Sequence, residues 1–99
     1  MIFGRRRFAE AIERQLDLFA HENADLLRRC EEAERAYDEA ERDEAEERYS
    51  ELLDLIEIAV DELDEMRDAF AAGLDEDAAE EYEAAFAKVV RKRFPRLRT

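Results

Sequence analysis

The sequence is poor in the residues on which protein chemistry is usually built. It holds one histidine, one cysteine and no tryptophan, and apart from three tyrosines its only hydroxyl residues are Ser50 and Thr99. Hydroxyl-based nucleophilic catalysis therefore has almost nothing to draw on. Cys30 stands alone, so no internal disulfide can form, which fits a reducing compartment. Two glycines provide neither a phosphate-cradling loop nor the tight turn of a calcium loop. A di-iron bundle needs Glu-x-x-His, but the residue three before His21 is Leu18. The pair His21-Glu22 is followed by no second histidine, so the zincin pattern is missing too. No apolar run is long enough to span a bilayer. The opening Met-Ile-Phe-Gly-Arg-Arg-Arg has basic residues but no apolar segment after them, so it does not read as a secretory signal. These shortages lead to the expectation of a soluble, cytoplasmic, non-enzymatic chain without a cofactor.

The same scarcity of glycine and proline leaves few places for a helix to stop. The chain has 99 residues, 46% apolar and 45% charged. A composition rich in Ala, Glu, Arg and Leu marks long helices. Disordered chains share the charge but lack the apolar residues, and here those residues recur at helical spacing. They read Phe8, Ile12, Leu16, Phe19, Asn23, Leu26, Cys30, Ala33, Tyr37 and Ala40, with alternating steps of four and three after Leu16, which is a heptad seam. Asn23 is its one strongly polar member, either a register-setting core amide or an N-cap that breaks the helix near His21–Asn23. Because the seam keeps its phase across Asn23, the continuous helix is the expectation.

A second seam runs Ala45, Tyr49, Leu52, Ile56, Ala59 or Val60, Leu63, Met66 and Phe70, out of phase with the first. A turn at Arg42–Asp43 accounts for the slip, with Asp43 as cap and Glu46 as its capping-box partner. Folding back there sets Tyr37 against Tyr49 and Cys30 against Ile56. The alternative is one unbroken helix that buries its seam only between chains. Gly73 lies just past a helix end with Leu74 as its hydrophobic contact, and Asp75 can cap a third helix. That helix carries Ala78, Tyr82, Phe86 and Val90 and stops at Pro95. Running back along the second helix, it is expected to set Tyr82 near Met66 and Val90 near Ile58, covering Leu55 and Ile58. The resulting expectation is a single all-α domain over 1–99, a long antiparallel, coiled-coil-like hairpin plus a shorter helix in a three-helix bundle. The helices run over about 5–41, 44–72 and 75–94, with a basic tail at 95–99. The tip, residues 31–49, should project as two helices only.

Charge is segregated. The net charge is −13, yet residues 1–9 and 88–99 hold only basic residues among their charges. An acidic body argues against general binding to nucleic acid or anionic membranes. The plainest role for the basic ends is complementarity, with Lys88, Arg91, Lys92 and Arg93 at a helix C-terminus beside acidic arms and Arg5, Arg6 and Arg7 near Asp75, Glu76 and Asp77. Alternatively Arg91, Lys92, Arg93, Arg96 and Arg98, interleaved with Phe94 and Leu97, form an anion-contacting tail for RNA or phospholipid, or the tail is a solubilising, unstructured end. Asp17, His21 and Asp25, at i, i+4 and i+8, would share a helical face and are weak candidates for a divalent-metal site. With 29 acids in the chain such spacing arises readily by chance. Cys30, on the seam, reads as a buried inert thiol.

The function these features favour is a helical interaction or assembly module, acting as a homodimer or with another helical protein. An anion-binding accessory protein and a metal-binding helical bundle are the alternatives. The dimer is suggested by Ala33, Ala40 and Ala45, small seam residues that bury little area within one chain.

Overall fold

A computed structural model of the protein describes residues 7–97. Among these there are four α-helices and no strand: α1 (Ala9–Glu22), α2 (Ala24–Asp38), α3 (Ala45–Ala71) and α4 (Glu76–Arg93), followed by a 3-10 turn, Pro95–Leu97. The all-α class stands as expected; the number of helices does not.

The expected first helix is two. Asn23 leaves helical geometry at φ −115° and ψ 27°, and α1 and α2 meet there. It is not a core amide but holds the N-cap position of α2, where the alternative reading put a break, though without a side-chain capping bond. Its backbone N–H and its side-chain Nδ2 both donate to the carbonyl of Phe19, at 2.9 and 3.1 Å. A short amide that competes with the helix ladder for a backbone acceptor is a known helix breaker. One non-helical residue barely disturbs the heptad phase, which is why the seam runs through the break. The two halves also face different neighbours: α1 packs on α3 and α4, whereas α2 packs chiefly on α3.

The chain reverses over residues 39–44, and α3 returns along α2 in the most extensive helix–helix contact of the molecule. Tyr37 and Tyr49 meet across the reversal with ring centroids 5.2 Å apart. The helices stop short of the expected 41 and 44. Glu39 and Glu41 fall in what would be the last turn of the first arm, where acids oppose the dipole. Asp43 does not cap; the N-cap position falls to Glu44, without a side-chain bond.

The next connection follows the expected pattern more closely. Asp75 caps α4, accepting from the N–H of Ala78 at 2.8 Å. Gly73 lies just beyond α3, but no glycine among the described residues has a positive φ. The link is instead a tightened turn, with the N–H of Leu74 donating to Ala71 O at 3.0 Å. The register of α4 departs from expectation by about one turn. Tyr82 stacks on Phe70 at 4.5 Å and sits edge-on to Phe8 at 5.5 Å, and Val90 lies beside Leu63. An aromatic cluster sets this register, because it buries three large rings at the base of the molecule. Ile58 is left uncovered, 51% exposed.

The molecule measures 52 × 23 × 20 Å and has two unlike ends. Its core lies at one end, where Ile12, Leu16 and Phe19 of α1 meet Leu63 of α3 and Tyr82, Phe86 and Val90 of α4. Beyond it, α2 and the first half of α3 continue as a pair. The basic tail expected from residue 95 is part of the fold as far as residue 97, against the reading of an unstructured end: Pro95–Leu97 turns back over the junction of the two ends, and Leu97 is only 2% exposed.

Candidate functional site

The residues singled out by type and spacing do not converge. Asp17 and His21 lie on α1 and Asp25 on α2, with the Asn23 break between them, so the three no longer share one continuous helical face. All three are exposed. Asp17 forms an ion pair with Arg93 at 2.8 Å, and Asp25 pairs with Arg28. Among the described residues no three His, Cys, Asp or Glu side chains are grouped to hold a metal ion. Cys30 is 2% exposed, and burial pushes its thiol up from the ordinary range despite the nearby Arg96. A thiol held neutral in this way is a poor nucleophile.

The basic C-terminus turns largely inward. Arg93 reaches across to Glu13 at 3.7 Å and to Asp17, and Arg96 pairs with Glu34 of α2. That bond raises the Arg96 guanidinium above its ordinary value, against the opposing effect of partial desolvation. Arg91 and Lys92 are exposed and join no acid among the described residues; Arg98 lies outside them. At the other terminus Arg7 approaches Glu81 at 3.8 Å, one turn beyond the acids expected to meet it, while Arg5 and Arg6 lie outside the described residues. Each such exposed pair contributes about 0–1 kcal/mol.

The surface that stands out is apolar. Tyr49, Leu53, Ile56 and Val60 follow one another at steps of four, three and four, so they lie along one flank of α3. Tyr49 is 46% and Leu53 44% exposed, and Ile56 and Val60 are half-buried. This stripe is distinct from the buried one on the same helix, which is Leu52, Ala59 and Leu63. Tyr49 and Ile56 belong to the outer stripe and not wholly to the internal seam where the heptad reading put them. Leu53 was not singled out at all. A signal for it exists in the sequence: the doublets Leu52-Leu53, Leu55-Ile56 and Ala59-Val60 are too broad for a single two-helix seam.

Acids border the stripe. Glu46 and Glu57, seven before and four after Leu53, edge its outer side on α3. Across the groove Glu31, Glu34 and Asp38, at steps of three and four, line the facing flank of α2. The position of that flank is marked by Arg96, which sits among Glu34, Ile56 and Pro95. Residues 31–58 contain 13 acids and three arginines, so this end carries −10 of the chain's net −13.

Comparison with protein-family models, curated proteins and solved structures found no match. No helix among the described residues is long and apolar enough to cross a membrane.

Proposed function

We propose that the protein is a non-enzymatic helical interaction module that binds through its two-helix end. The observation that carries this reading is the apolar stripe on α3 in which Tyr49 and Leu53 are nearly half exposed, next to the half-buried Ile56 and Val60. Half-exposed apolar side chains in a row, rimmed by charge, are the mark of an interaction surface. The same end buries little of its own: Ala33, Ala40 and Ala45 are small, and the Tyr37–Tyr49 pair is only partly buried. Helices supplied by a second copy or by another protein would complete a three- or four-helix arrangement there.

The test is site-specific crosslinking in the native cell. A photoactivatable amino acid at Leu53 should yield a discrete adduct, whose mass tells a second copy from another protein. The same group at exposed Glu65, far along α3, should yield none. Adducts at neither position, or equally at both, would sink the reading.

A further inference from the structure

The charge around the stripe names the partner, and the inference rests on the interaction-module reading. We propose that the groove between α2 and α3 docks a cationic amphipathic helix of another protein, in preference to a second copy of this chain. Its open floor is Tyr49 and Leu53 with the half-buried Ile56 at the lower edge, and carboxylates line both rims, Glu46 and Glu57 on α3 and Glu31 and Asp38 on α2, while Glu34 is taken by Arg96. A helix with apolar residues at i, i+4 and i+7 and Lys or Arg on both sides of that row matches the floor and the two rims together. From Tyr49 to Ile56 the open part of the stripe spans eight helical positions, roughly 10 Å at 1.5 Å per residue, so about two helical turns fill it.

The protein already holds a segment of this chemistry at the lower end of the groove. In Arg93-Phe94-Pro95-Arg96-Leu97 basic and apolar residues alternate. Leu97 is buried, Phe94 sits edge-on to Phe19 at 5.5 Å, and Arg96 pairs with Glu34 beside Ile56. An external helix would extend this mode of contact upward, over Leu53 and Tyr49. A second copy fits worse. Packing two such ends together sets −10 against −10 within about one Debye length, ~8 Å at physiological salt, while Arg93 and Arg96 are engaged on their own chain.

The experiment uses the full chain and a fluorescein-labelled, 14-residue leucine–lysine peptide with helical amphipathic spacing, followed by fluorescence anisotropy. The controls are a peptide of identical composition in scrambled order and a leucine–glutamate analogue. The amphipathic cationic peptide should bind, with the scrambled peptide at least about tenfold weaker. Leu53→Gln should weaken binding about tenfold, Glu57→Lys several-fold, and Ile58→Gln, on the opposite flank, not at all. Raising the salt should weaken binding. Circular dichroism checks that each variant folds; Glu57→Lys, at an exposed position, carries the test should Leu53→Gln unfold. Equal binding of the scrambled peptide, or no effect of Leu53→Gln and Glu57→Lys, overturns the proposal. No binding, together with a dimer in sedimentation velocity that Leu53→Gln abolishes, overturns it in favour of a second copy and leaves the interaction-module reading standing. No binding and no dimer removes both.

Discussion

The two ends of this protein are built from the same kind of helix and differ in how many neighbours each helix meets. Around α1, α4 and the second half of α3, each helix packs against the other two. There Tyr82 is fully buried among Phe8, Phe70 and Phe86, and its hydroxyl donates to Gln15 at 3.0 Å. Around α2 and the first half of α3, each helix has one main neighbour. There Tyr37 and Tyr49, also paired ring to ring, remain 37% and 46% exposed. A second neighbour for each helix, more than helix propensity, is what turns an apolar stripe into a core. The end without one leaves Tyr49 and Leu53 nearly half exposed and carries most of the chain's net negative charge.

Truncating one aromatic at each end is the sharpest test of that contrast. Phe19→Ala, at a position with no solvent exposure, should cost about 3–5 kcal/mol in chemical denaturation. Tyr37→Ala should cost about 1 kcal/mol or less. Similar losses at both positions would mean that the two ends share one core.

The junction between the ends comes next in size. Leu97→Ala should destabilise the protein by about 2–3 kcal/mol because its side chain is buried. Arg96→Ala should remove no more than about 1 kcal/mol, since the pair with Glu34 is partly solvated. A large effect of Arg96 with a small effect of Leu97 would reverse this account of what holds the turn in place.

The smallest effect concerns the connection at the base. Gly73 has no positive φ, and an added Cβ would meet only the carbonyl of Phe70, at 3.7 Å. Gly73→Ala should therefore raise stability by about 0.4–1 kcal/mol, through loss of unfolded-chain entropy. A drop in melting temperature would show that the turn needs glycine after all.

Much of this architecture was legible in the chain, and the misses have definable causes. The heptad steps revealed the helices, the phase slip revealed the reversal, and Asp75 revealed the start of α4. Asn23 was ambiguous because a one-residue break leaves the apolar phase intact. Leu97 was hidden because three residues are too few to show a period and their arginines suggested a tail. The register of α4 was missed because heptad matching counts positions, whereas Phe8, Phe70 and Tyr82 compete for the same space. Of the site, the acidity of the rims was visible from composition, but Leu53 was masked by its neighbour Leu52.

Periodicity, breakers and capping residues, all local in the chain, were enough to establish an all-α protein with its negative charge in the middle and to point to a reversal near residue 42, with one unbroken helix as the alternative. Which apolar residues lie inside, where α4 stops along α3, and which stripe remains in solvent were settled only by packing. Those outcomes depend on side chains far apart in sequence filling one volume, and a seam in a sequence does not say how many partners it will meet.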